Sequence, residues 1–103
     1  MGALATAMVR DSMMAFSQAD TSLAKGVFNK DKEFDALYGG VFARLISSAK
    51  EPKKIAHDTK LAFLSKDLNG IAEHAANVAE VVIFMVDGKE ITHMDMHEPR
   101  ATR

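Results

Sequence analysis

Apolar residues recur along the chain with a helical period in three successive stretches. The clearest runs through Leu64, Leu68, Ile71, Ala75, Val78, Val82 and Met85, where alternating steps of four and three residues keep one face of a helix apolar. Glu51-Pro52 precedes it, and proline is tolerated in a first helical turn because the N–H it lacks would have no partner there. Asp87-Gly88 follows it, glycine being the residue that most readily takes the left-handed conformation at a helix end. The pattern predicts a helix from about residue 53 to residue 86. Upstream, Leu23, Val27, Phe34, Leu37, Val41 and Leu45 share a face, predicting a second helix capped by Asp20 or Thr21 and ending near Ala49. Phe28, Phe42 and Ile46 lie on its shoulder, so its apolar stripe is wider than a seam between two helices needs. The first stretch, Gly2 to about Gln18, carries Leu4, Met8 and Ala15 on one side and Val9 and Phe16 on the other. No run alternates with the period of a strand. The expectation is an all-α fold, an up-down-up antiparallel three-helix bundle, as one domain over residues 1–88 with a flexible tail over 89–103.

Gly26, Gly39, Gly40 and Gly70 all fall inside the predicted helices. Each costs about 1 kcal/mol relative to alanine in a helix interior, a large total for a small domain. The bundle is therefore expected to lean on a partner, with Phe28, Phe42 and Ile46 as the partner surface.

Composition narrows the function classes. The 103 residues hold 13 Lys+Arg against 14 Asp+Glu, a net charge of −1, and no cysteine. That removes disulfides, thiolate zinc sites and a cysteine nucleophile, and it leaves no electrostatic case for binding nucleic acid. The longest uninterrupted apolar run, Val81 to Val86, is far short of the ~20 residues a bilayer requires. The start lacks the basic and apolar regions of a secretory signal. A cytoplasmic location without direct membrane insertion is expected.

Two polar constellations stand out. Asn69, Glu73, Asn77 and Glu80 form a row opposite the apolar stripe of the third helix. Oxygen donors in a row suit a hard cation or a carboxylate-bridged iron cluster, although spacing alone favours an ordinary solvated face. Asp31 and Asp35 stand at i and i+4 on the second helix, a like-charged pair that costs a few tenths of a kcal/mol unless a cation intervenes. Among the histidines, His74 is expected to pack beside the core stripe and His57 to sit in the first turns of the third helix. His93 and His97, an i,i+4 pair with Asp95 between them, could grip a metal if helical, but lying between Gly88 and Pro99 they read rather as a frayed tail. Glu90-Ile91-Thr92-His93 spells Glu-x-x-His once, whereas a di-iron bundle needs two copies. A carboxylate-bridged oxidoreductase ranks last for that reason. With no Gly-rich phosphate loop, Gly-x-Ser-x-Gly or His-Glu-x-x-His string, the chain reads as a non-enzyme.

Asp31-Lys32-Glu33-Phe34-Asp35-Ala36-Leu37-Tyr38 and the more specific Ile71-Ala72-Glu73-His74-Ala75-Ala76-Asn77-Val78-Ala79-Glu80 resemble the PhoU family. Met1-Gly2 to Met8-Val9-Arg10-Asp11 resembles the start of that family's repeat. The resemblance spans about residues 2–88 and is strongest to the second of the family's two repeats. It implies a PhoU-like, spectrin-like three-helix repeat in a cytoplasmic regulator of phosphate uptake, acting with a phosphate ABC transporter ATPase and a sensor histidine kinase to hold down the phosphate-starvation response. It also implies iron or another divalent metal on acidic motifs, matched here by Asp31 and Asp35 and by Glu73 with Asn77 and Glu80. Asn69-Gly70 stands where the family usually has an acid followed by arginine, which favours a weaker or single-ion site over a multinuclear one. The single repeat implies either part of a two-repeat protein or a half-length member that dimerises. The rival reading is a metal-free helical dimerisation or adaptor module unrelated to phosphate.

Overall fold

The computed structural model describes the backbone of residues 1–94 and the side chains of residues 1–88. Three helices follow one another: α1 (Gly2–Gln18), α2 (Thr21–Ser47) and α3 (Pro52–Met94). All three pairs pack together as an up-down-up bundle, and the described residues contain no strand. No helix among them is long and apolar enough to cross a membrane.

The α1–α2 connection is two residues long. Ala19 takes the left-handed conformation (φ 52°), which lets the Asp20 N–H reach back to the Ala15 carbonyl at 2.9 Å. Asp20 then caps α2, its carboxylate accepting from the Leu23 N–H at 3.1 Å. Pro52 opens α3. The stop expected at Asp87-Gly88 is not made, and α3 runs through Gly88 to Met94. Glycine ends a helix by adopting positive φ, and no described glycine does so. The residues expected to start a flexible tail at 89 thus continue the helix, while 95–103 lie outside the described residues.

The core is built around Phe34, Met8, Val27 and Val82, with alanines Ala5, Ala15, Ala24, Ala72, Ala75 and Ala79 between them. The face that α3 buries is turned from the predicted one. Leu68, Ala75 and Val82 do pack inward, but the alternate members are Ser65, Ala72 and Ala79, one residue beyond Leu64, Ile71 and Val78. Leu64 is 56% exposed, and Ile71 and Met85 are also exposed. Small residues let the helix axes approach closely, so the bulkier side chains are displaced to the shoulders. On α2, Leu37 is likewise exposed rather than in the core. On α1, Met8 and Ala15 are buried, Leu4 and Val9 pack at the core's edge, and Phe16 is exposed.

Met1 at the start of α1 lies beside Ser65, whose hydroxyl donates to its sulfur at 3.4 Å. Beyond that level, from Tyr38 to Leu64, the α2–α3 hairpin has two helices rather than three. The only fully buried side chains there are Ser48 and Asp58. The Ser48 hydroxyl lies 2.5 Å from Asp58 Oδ2 and 2.9 Å from the Arg44 carbonyl. It has one proton, and the carboxylate is the nearer and stronger acceptor.

Candidate functional site

The antiparallel run of α2 and α3 places Asp31 near Glu73, so the two acidic motifs meet across the helix pair. Asp31 is half-buried, while Asp35 and Glu73 are exposed. Burial raises the Asp31 carboxyl above its ordinary value of 3.8, and the charges of Asp35 and then Glu73 push it further in the same direction. None of the three has an ion pair among the described residues. The adjacent Lys30 turns to the other side of α2 and bonds Asp11 of α1 at 3.1 Å.

Asn77 and Glu80 are exposed further along α3, and Asn69 is half-buried. The groups that shift Asp31 are Asp35 and Glu73, not Glu80. Among the described residues, no three His, Asp or Glu side chains stand close enough to hold one metal ion. The acids Asp31, Asp35 and Glu73 converge enough to feel one another. His74 is exposed rather than packed, at the rim of an apolar groove between α1 and α3 that includes Val9, Met13, Ile71 and Val78. His57 is exposed in the first turns of α3. His93 lies in the last turn of α3, while Asp95 and His97 lie outside the described residues.

The three residues expected at a partner surface are placed differently. Phe28 is half-buried and packs against the bundle's own core. Phe42 is exposed but tied inward by a ladder of rings: Phe34 and Tyr38 have centroids 6.3 Å apart, and Tyr38 meets Phe42 edge-on at 5.1 Å. Ile46, 76% exposed, lies one turn further on, and Phe63 and Leu64 are exposed on the neighbouring stretch of α3. The two-helix half of the hairpin therefore carries much of the uncovered apolar surface.

The buried Asp58 with Ser48 and Arg44 was not foreseen from the pattern. Its signal is register. Asp58, Ser65, Ala72 and Ala79 follow one another at intervals of seven, which places Asp58 on the inward face of α3.

Comparison with known proteins agrees with this architecture. Residues 1–82 match the PhoU domain model. The protein named "Phosphate-specific transport system accessory protein PhoU homolog" from Caulobacter vibrioides NA1000 is 34% identical over 93 residues, covering 89% of this chain and 40% of that protein. Its namesake from Xylella fastidiosa Temecula1 is 33% identical over 92 residues, covering 88% of this chain and 38% of its own. The one from Zymomonas mobilis is 35% identical over 92 residues, covering 88% and 39%. The chain spans about two fifths of the length of the curated relatives it matches. No solved structure matches. Over most of its length, and through the helices that carry both acidic motifs, the chain belongs to the PhoU family.

Proposed function

We propose that the chain is a cytoplasmic accessory regulator of phosphate transport that works by docking its helical surface to other proteins and has no catalytic step of its own. The observation that carries this reading is the match to the PhoU domain over residues 1–82, joined to relatives whose names place them in the phosphate-specific transport system. The partners are a phosphate ABC transporter ATPase and a sensor histidine kinase. A docked protein that prefers one conformational state of its partner shifts that partner's equilibrium by the difference in affinity.

The exposed apolar side chains on the open half of the hairpin support a docking role, because a surface patch of this kind is a favoured place for a protein contact. Phe42 and Ile46 are its anchors on α2. The same patch can be covered by a second copy of the chain, giving a homodimer with two repeats. In this reading docking rests on the apolar contacts, and a divalent cation at Asp31, Asp35, Glu73 and Asn77 would tune it.

Pull-down with the transporter ATPase and the kinase tests the reading. The wild-type chain is expected to retain at least one of them, and F42S/I46S to retain at least tenfold less while its helical content is unchanged. Loss of retention for both proteins by the wild type would overturn the phosphate assignment and leave a helical adaptor. Sedimentation at increasing concentration reads the dimer separately.

A further inference from the structure

Beside the turn joining α2 to α3 lies a half-open pocket of about 390 Å³ lined by Arg44, Ser48, Lys53, Lys54, His57 and Asp58. Cationic charge is concentrated here. Between residues 44 and 60 lie Arg44, Lys50, Lys53, Lys54 and Lys60 against Glu51 and Asp58, in a chain of net charge −1. The one carboxylate inside the pocket is already engaged. Asp58 is 3% exposed, its Oδ2 accepts from Ser48, and its Oδ1 faces Arg44 Nε at 3.6 Å. Arg44 is thereby held by one edge of its guanidinium, and no other carboxylate pairs with it among the described residues. Lys53 has no ion pair among them. Lys54 has an exposed contact to Glu51 at 3.7 Å, which is worth little in water.

The backbone adds to this field. In α3 the Ile55 N–H bonds back to the Glu51 carbonyl at 2.8 Å, whereas the N–H groups of Lys53 and Lys54 have no partner among the described residues. Free N–H groups at a helix start carry a partial positive charge. The opposing carbonyl end of α2 is locally consumed. The Arg44 carbonyl accepts from the Ser48 N–H at 3.1 Å and from the Ser47 hydroxyl at 2.9 Å, and the Ile46 carbonyl accepts from the Ala49 N–H at 3.2 Å.

We propose that this pocket binds a phosphate-class dianion through Arg44, Lys53, Lys54 and the first free amides of α3. A monocarboxylate would leave much of the converging positive charge uncompensated. A tetrahedral dianion offers several acceptor oxygens, and the open edge of an anchored guanidinium suits them. His57 supplies a ring N–H at the rim. The volume lies near the lower end of small-molecule sites, about 300–1,000 Å³, so it accepts the bare ion or the phosphoryl group of a small monoester. The site is separate from the acidic patch and borders the docking surface at Ile46; its test reads anion binding rather than partner retention, so its failure would leave the docking reading intact.

Nitrogen–proton correlation NMR of the full chain at fixed ionic strength, with sodium phosphate and AMP titrated in turn, tests the proposal. Saturable shifts are expected at the amides of Lys53, Lys54 and His57. R44Q and K53Q/K54Q are expected to weaken binding at least tenfold. Lys53 and Lys54 are exposed, so the double variant keeps the fold even if R44Q, which leaves a buried aspartate without its cation, does not. Tighter binding of AMP than of phosphate identifies a phosphomonoester as the ligand, and the reverse identifies free phosphate. Shifts that never saturate, that are equally large at Lys25, Lys32 and Lys66, or that persist in K53Q/K54Q would overturn the site.

Discussion

Replacing Asp31 with asparagine removes a charge from a place that resists it. Asp31 is half-buried, it faces Asp35 one turn along α2 and Glu73 across on α3, and its carboxyl is raised above 3.8 by burial first and by those two acids second. A carboxyl raised by folding binds its proton more tightly in the folded state. Its stabilising contribution is therefore complete below the unfolded value and is lost as the pH rises through the folded one. At pH 7 the ionised group is a liability. Each like-charged contact costs about 0.2–0.5 kcal/mol, and solvent screening of the exposed partners trims the pair to about 0.5 kcal/mol in total. For a domain of this size that is ~3 °C in Tm. Thermal unfolding followed by circular dichroism should show D31N more stable than wild type at pH 7, the gain shrinking towards pH 3 and in high salt. If a divalent cation bridges these acids, Mn²⁺ or Fe²⁺ will raise the wild-type Tm by linkage and leave D31N unmoved. A D31N protein that melts lower than wild type at pH 7 without metal would refute the reasoning, because it would mean the charge is favourably paired.

Four further substitutions follow from the backbone and core. Ala19→Gly relieves an L-residue held at φ 52° and should stabilise by about 0.5–1 kcal/mol, read as a higher urea midpoint. Gly39→Ala and Gly40→Ala meet nothing within 4 Å of the added methyl and should each add about 1 kcal/mol; if α2 is approached closely there by a partner, the same variants will gain stability while losing retention in the pull-down. Phe34→Ala empties the largest fully buried side chain and should cost about 3–5 kcal/mol, a large fraction of the stability of such a bundle, seen as loss of a cooperative melt near room temperature.

The number, order and approximate ends of the helices were legible because their signals are local. Asp20 caps α2 and Pro52 opens α3 through contacts within one turn. The left-handed Ala19 was not legible, because alanine carries no mark of that conformation and takes it only where the two-residue connection demands it. The end of α3 was misplaced for the complementary reason. Gly88 permits a stop without requiring one, and the residues after it continue the helix to Met94.

The phase of α3 shows why a pattern of hydrophobicity misleads in a tight bundle. Counting apolar residues weights Leu64, Ile71 and Met85 heavily and Ala72 and Ala79 lightly. Packing favours what fits between closely spaced backbones, and there the alanines go inward. In that register the heptad positions read Asp58, Ser65, Ala72 and Ala79, alternating with Leu61, Leu68, Ala75 and Val82. An aspartate on the inward face is tolerable only with its oxygens satisfied, and Ser48 and Arg44, both from the end of α2, satisfy them. That partnership crosses a turn of unknown shape, so no spacing rule could reveal it, whereas Asp31 and Asp35 could be paired from one helix alone. The same register also turns Leu64, Ile71 and Met85 outward. The exposure of these three side chains is thus a consequence of the small-residue seam that holds the three helices together; only Leu64 of them borders the docking surface, and Ala72→Leu, which overfills the seam, should lower the Tm by thermal unfolding.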